Sequence, residues 1–327
     1  MTHPIPSGTR DVLPDEMREM RAITEALREV FEQAGYGEVY TPALEYEAVL
    51  ARADSAAPPP AYRLFDETGA LLVLRSDMTV PIARVAATRY PHAEPPLRFC
   101  YLAHCYREVR PSRGQPRELL QAGIELLGAP APEGTAEALT VLCRALDATG
   151  LADYRVGLGD AALFPALMAG VGVPERLRAS LLEALVRRDF VELERRLGEA
   201  GLPPAEADLL LRVPQLRGGP QALEGLPGPA ASAAAGLLAV YALLEPAVAG
   251  RVIFDFGLVR SLGYYTGAVF EVYDPALGAP IGGGGRYDEL LGQFGRSLPA
   301  VGFALGVDRL HIALAGEERG RGAGLTR

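Results

Sequence analysis

The chain has 327 residues, a formal net charge of −9, and 49% hydrophobic against 22% charged residues. Such values fit a globular chain with room for one large domain and an insertion, or for two domains. The negative total argues against a nucleic-acid footprint, and the lack of any lysine (arginine supplies all 32 positive side chains) excludes a Schiff-base or P-loop lysine.

In chain order, Met17, Met20, Ile23, Leu27, Val30, Phe31 and Ala34 fall on one face of a helix that Gly35 stops. Residues 38–44 read as a strand interrupted by Pro42, and residues 71–74 as a short apolar strand. Helical spacing covers 80–90. Two strands follow at 97–110 and 118–127, joined by the loop 111–117, which is too long for a tight hairpin and of the kind that serves ligands. Residues 135–146 form an apolar-periodic helix and 154–158 a strand. From 161 to 249 the pattern is helical: Leu177, Leu181, Leu182 and Leu185 make a stripe, and Asp189 with Glu192 resembles a capping box. Strands return at 252–256, 268–273 and 301–304. Gly282 to Gly285 lack dinucleotide-site spacing and read as a turn or bulge under a ligand. Strands without βαβ alternation predict an α+β fold: an antiparallel sheet flanked by helices, built from 1–160 and 250–315, with 161–249 inserted and a flexible tail at 316–327.

Few residues suggest chemistry by spacing alone. Cys100, Cys105 and Cys143 fit neither a zinc site nor a disulfide framework, and His3, His92, His104 and His311 are scattered. No metal, cofactor or catalytic nucleophile is expected. The N-terminus leads to no apolar signal segment and no run reaches the ~20 residues of a membrane span, so a cytoplasmic protein is expected. The most readable site is the strand at 118–127. Gln121, Gly123 and Glu125 alternate with Leu120, Ala122, Ile124 and Leu126, so one face is apolar and the other presents an amide, a gap and a carboxylate. Taken alone, this pattern describes a solvent-facing strand as readily as a site.

Three segments change that balance: Ser261-Leu-Gly-Tyr-Tyr-Thr-Gly267, Gly282-Gly-Gly-Gly-Arg-Tyr-Asp288 and Gly302-Phe-Ala-Leu-Gly-Val-Asp-Arg-Leu310. They resemble the histidine-specific and third class motifs of histidyl-tRNA synthetases, which are class II enzymes. The resemblance implies that Gln121, Gly123 and Glu125 line a histidine pocket, with Asp77 of Leu74-Arg-Ser-Asp-Met-Thr79 meeting the substrate ammonium and Thr79 also among the histidine-binding residues. It also implies Arg260 near the carboxylate, and Tyr264, Tyr265 and Tyr287 around the ring. The second class motif departs from the family. Tyr106-Arg-Glu-Val-Arg-Pro111 keeps Arg107, an expected phosphate ligand, but Val109 stands for the acid at adenine and Gln115 for a later phosphate arginine. Arg309 of the third motif is kept, so Arg107 and Arg309 are the expected remnant of a nucleotide site. After Arg309 only 18 residues follow. An anticodon-binding domain takes on the order of 100 residues, and none is expected.

An amino-acid pocket kept and a nucleotide pocket eroded resembles the regulatory-subunit branch of this family, that of ATP phosphoribosyltransferase in histidine biosynthesis. The similarity runs from Ile5 to Leu310. It implies a non-catalytic chain that assembles with a short-form catalytic subunit, self-associates through its core, senses histidine, and binds neither tRNA nor membrane. The alternatives are a truncated enzyme that forms histidyl-adenylate, and a scaffold with a vestigial pocket.

Overall fold

A computed structural model of the chain describes residues 4–53, 61–108, 116–259 and 263–324. The first helix, α1 (Pro14–Gln33), follows its spacing: Met20, Ile23, Leu27 and Phe31 are buried on one face, Pro14 sits in the first turn, and Asp15 and Glu16 favour the positive end of the helix dipole. Gly35 follows at φ +83°, a conformation that disfavours a Cβ. The strand expected at 38–44 is split into β1 (Gly37–Glu38) and β2 (Leu44–Tyr46), with Pro42, which has no N–H for a ladder, in the gap.

Next come α2 (Glu47–Leu50), β3 (Arg63–Phe65), β4 (Leu71–Leu74), α3 (Thr79–Arg89), the long pair β5 (Leu97–Tyr106) and β6 (Glu118–Leu127), α4 (Glu133–Ala148) and β7 (Arg155–Asp160). The helical segment comprises α5 (Leu163–Gly170), α6 (Glu175–Val186), α7 (Phe190–Glu199), α8 (Pro204–Arg212), the two-residue β8 (Arg217–Gly218), α9 (Gly228–Ala242) and α10 (Pro246–Ala249). The Asp189 side chain caps α7 by accepting from the Glu192 N–H at 3.0 Å. The chain returns through β9 (Val252–Asp255), β10 (Ala268–Tyr273), β11 (Gly282–Arg286), β12 (Ala300–Gly306) and α11 (Val307–Gly324).

Two sheets result. The larger has nine strands in the order β1-β5-β6-β12-β11-β10-β7-β9-β8, and the smaller is β2-β4-β3. All neighbours in the large sheet are antiparallel except β1 with β5 and β7 with β9, so the expected antiparallel sheet is mixed at these two places. Gly282 to Gly285 are not a turn or bulge. They form β11, a central strand paired to β10 and β12. None of the four has a positive φ. What they permit is close approach: a Cβ on Gly284 would collide with the backbone of Gly302 and Phe303.

One face of the large sheet packs on helices. Ala122, Ile124 and Leu126 of β6, Phe270 and Val272 of β10, and Val156 and Leu158 of β7 join α1, α4, α5, α6, α9 and α11 in one contiguous core. Residues 161–249 therefore share their core with the sheet. The segment expected as a tail from 316 is helical to 324. The buried Glu317 holds it in place by accepting from the N–H groups of Ala152 and Asp153 at 2.7–3.1 Å. The opposite face of the sheet is covered at one end only, by the small sheet with α2 and α3, whose core includes Val73, Met78, Ile82, Phe99 and Leu127. Cys100, Cys105 and Cys143 are all buried and free.

Candidate functional site

The exposed face of the large sheet follows from the period of two along each strand. Gln121, Gly123 and Glu125 of β6 pair with Gly306, Ala304 and Gly302 of β12, and Tyr101 of β5 pairs with Gly123. On β10, Glu271 pairs with Gly283. A cavity of about 230 Å³ lies on this face. Its lining includes Asp77, Thr79, Gln121, Tyr264, Tyr265, Tyr287, Arg107 and Arg309, so of the site residues expected from the sequence only Gly123, Glu125 and Arg260 are not among it. Glu125 sits directly beneath, bonded to two of the lining side chains. Arg260, Val109 and Gln115 lie outside the described residues.

Glu125 is the centre of the acidic end. It is 1% exposed, accepts from the Thr79 hydroxyl at 2.7 Å, and accepts from the Tyr287 hydroxyl on its other oxygen. Both donors favour the ionised form, but burial outweighs them and pushes the carboxyl up to about 8. Asp77, at the turn into α3, accepts from the Val80 N–H at 3.1 Å and the Ser76 hydroxyl at 3.2 Å, and burial raises its pKa too. Tyr101, Tyr264 and Tyr287 are held as neutral phenols by burial. The Tyr264 ring lies 4.9 Å from that of Tyr265 and 5.9 Å, edge-on, from that of Tyr287. This end offers two buried carboxyls and several phenols to a ligand that carries positive charge and a ring with hydrogen-bonding edges.

The other end is basic. Arg309 donates to the Pro280 carbonyl at 2.6 Å, and burial followed by the neighbouring charge of Arg107 lowers its pKa. Arg107 is exposed at the end of β5. Among the described residues no group of three or more His, Cys, Asp or Glu side chains could hold a metal ion. No described helix is long and apolar enough to cross a membrane.

Two lining residues are not marked out by sequence reasoning. Tyr101 is one aromatic among many in an apolar strand, and only its pairing with Gly123 reveals it. Glu271 does carry a signal: it is the lone charged residue in Ala268–Tyr273.

The glycines set the depth of the cavity. A Cβ on Gly302 would overlap the Glu125 carboxylate, and would come 2.6 Å from the Ile124 carbonyl. Gly302→Ala is expected to destabilise the fold by about 1–3 kcal/mol through overpacking and to displace Glu125. Urea denaturation checks this, and a midpoint unchanged from wild type would contradict it.

Known proteins resemble this chain in sequence and fold. The histidyl-tRNA synthetase family model matches residues 8–310. The ATP phosphoribosyltransferase regulatory subunit of Desulforamulus reducens is 42% identical over 94% of this chain and 78% of its own length. That of Symbiobacterium thermophilum is 44% identical over 94% and 79%. Among solved structures, an ATP phosphoribosyltransferase regulatory subunit/histidyl-tRNA synthetase from Bacillus halodurans superposes with a TM-score of 0.88 at 32% identity, covering 96% of this chain and 84% of that one. A histidine–tRNA ligase subunit from Alicyclobacillus acidocaldarius gives 0.80 at 32% identity over 97% and 99%. With this fold, this cavity and these relatives, the chain belongs to the ATP phosphoribosyltransferase regulatory subunits, a branch of the histidyl-tRNA synthetase-like family.

Proposed function

We propose that this chain is the non-catalytic regulatory subunit of an ATP phosphoribosyltransferase: it enables a short-form catalytic subunit and lowers that subunit's activity when free histidine fills the cavity. The observation that carries the reading is an asymmetry. At the acidic, phenolic end Asp77, Thr79, Tyr264 and Tyr287 lie together over Glu125. In the sequence, Val109 and Gln115 stand where the synthetase pattern has an acid and an arginine. Asp77 would meet the ligand ammonium, Arg260 its carboxylate, and Glu125 with the tyrosines its ring. Each charge-assisted hydrogen bond missing from a nucleotide site is worth about 1.5–3 kcal/mol, so the absence of two weakens nucleotide binding by a few orders of magnitude. Feedback needs only that histidine bind two states of the assembly unequally, with a coupling of about 1–3 kcal/mol.

Self-association belongs to the same reading. One face of the small sheet exposes Leu44, Tyr46 and Leu64, with Tyr40 close by in sequence at 87% exposure, an apolar surface suited to a second copy of the chain. The test is reconstitution. The purified chain, alone and with the catalytic subunit, is followed by sedimentation and assayed for phosphoribosyl transfer with and without histidine. A monomer that neither binds nor activates the catalytic subunit would sink the proposal.

A second reading, histidyl-adenylate formation, draws support from the ligase-named relative and from Arg107 and Arg309 at the open end. Histidine-dependent ATP–pyrophosphate exchange separates the two. The regulatory reading expects none above background, and robust exchange would favour the enzyme.

A further inference from the structure

The face that holds the cavity continues along the sheet. From Glu271 the register passes to Gly157 on β7, then to Ile253 on β9; Tyr273 pairs with Arg155, and Asp255 with Arg217. At this far end Arg188, in the turn between α6 and α7, reaches Asp255 and the Tyr273 hydroxyl with its side chain. A second cavity of about 380 Å³ results, lined by Arg155, Gly157, Arg188, Arg217, Ile253 and Tyr273. It shares no lining residue with the first.

We propose that this second cavity is a binding site for a phosphate or pyrophosphate group of a small molecule, with Arg155, Arg188 and Arg217 as its ligands. The inference does not rest on the histidine reading.

The charge balance is the first support. Arg217 and Arg188 converge on a single oxygen of Asp255, at 2.7 and 3.3 Å. The other Asp255 oxygen is taken by the Gly257 N–H at 3.0 Å. Arg155 donates to the Tyr154 carbonyl at 2.9 Å and, among the described residues, pairs with no carboxylate. Three guanidinium groups thus surround the cavity against two nearby carboxylates, Asp255 and Glu271, the second of which accepts from the Tyr273 hydroxyl, in a chain whose total is −9.

Access is the second support. The Arg188 and Arg217 side chains are 47% and 51% exposed, while Asp255 is 5% exposed. The carboxylate gathers the two guanidinium groups from below and leaves donors open above. Forked, planar donors fit tetrahedral oxyanions in bidentate fashion. Gly157 keeps the floor clear, since a Cβ there would lie 3.2 Å from the Tyr273 ring. A cavity of this volume suits a small molecule better than a polymer.

Backbone strain is the third. Arg188 has φ +54°, and among the described residues it is the one non-glycine with a positive φ. An L-residue there costs on the order of 1–2 kcal/mol. The conformation places its guanidinium 3.4 Å from the Tyr273 hydroxyl and within reach of Asp255.

The test is calorimetry at low ionic strength with three probes: inorganic pyrophosphate, ribose 5-phosphate and ATP. The tightest of them names the source of the phosphate. Arg155→Ala leaves every ion pair intact and is expected to weaken binding at least about tenfold, the value of one charge-assisted hydrogen bond. Arg217→Ala should do the same. Arg188→Gly should weaken binding while relieving the strain, so its urea midpoint should hold or rise, a separation that a merely structural arginine would not produce. Arg309→Ala, in the first cavity, should change this binding less than about threefold, well under the value of one such bond. No binding of any probe at millimolar concentration would overturn the proposal. So would equal binding by wild type and all three second-cavity variants, or a deficit confined to Arg309→Ala.

Discussion

Glu125→Ala is expected to abolish most histidine binding while the subunit still assembles with its catalytic partner. Among the described residues the carboxyl is the one acidic group beneath the cavity that receives two side-chain hydroxyls, from Thr79 and Tyr287. On the proposed reading, removing it strips the ligand ring of its partner, and it leaves two donors without an acceptor where Glu125 is 1% exposed. Deleting a charge-assisted hydrogen bond in such surroundings lowers affinity by about ten- to hundredfold. Calorimetry on the variant measures this directly. In the reconstituted enzyme, inhibition by histidine should need correspondingly more ligand while basal phosphoribosyl transfer persists. Unchanged affinity and unchanged inhibition would move the sensing site away from this cavity.

Histidine affinity is expected to form a plateau in pH, falling on both sides. The carboxyl of Glu125 is pushed from 4.5 to about 8 by burial, and a free imidazole titrates near ~6.5. Between those values the empty site carries a proton and the free ring does not. Binding then moves that proton from Glu125 to the ring, with no net uptake, and the product is an ion pair. Below ~6.5 both partners arrive protonated and one proton must leave; above about 8 both arrive deprotonated and one must be gained. Either way affinity should fall by up to about tenfold per pH unit.

The same group sets a stability trend with a definite sign. Its folded-state value is raised, so the folded chain holds a proton that the unfolded chain has released. The contribution is fully present below 4.5 and is lost as pH rises towards 8, by on the order of 5 kcal/mol at ~1.4 kcal/mol per pH unit. Asp77, also raised, acts in the same direction. Urea midpoints of the ligand-free protein should therefore decline over this range, and Glu125→Gln should flatten the decline. A midpoint independent of pH in both proteins would contradict the assignment.

How far the sequence announces this site depends on how local each signal is. The alternation of Gln121, Gly123 and Glu125 against Ala122, Ile124 and Leu126 determines which face of β6 is polar, because strand side chains alternate whatever the partner. It does not say whether that face meets water or a buried shell of hydroxyls. That answer needs Thr79 and Tyr287, 46 and 162 residues away in the chain. The glycine strand misleads for a related reason: four glycines look like a turn when viewed locally, and only β10 and β12 on either side make them a sheet centre. β3 carries no legible pattern because its three residues are all exposed. The second cavity leaves the faintest trace, since its arginines lie on three separate elements that the sheet order and the α6–α7 turn bring together.

The glycine-lined floor also constrains how such a pocket can change by descent. Where Gly283 and Gly302 present only backbone, a single replacement can add atoms but cannot take any away. The floor is already at its lower limit, so mutation there runs in one direction, towards a shallower site or none. Preference for a different ligand has to arise in the walls, where Tyr264, Tyr265 and Gln121 can each be traded for something smaller or differently polar. A lineage that abandons the ligand altogether would be recognised by side chains accumulating on this floor before the walls have altered.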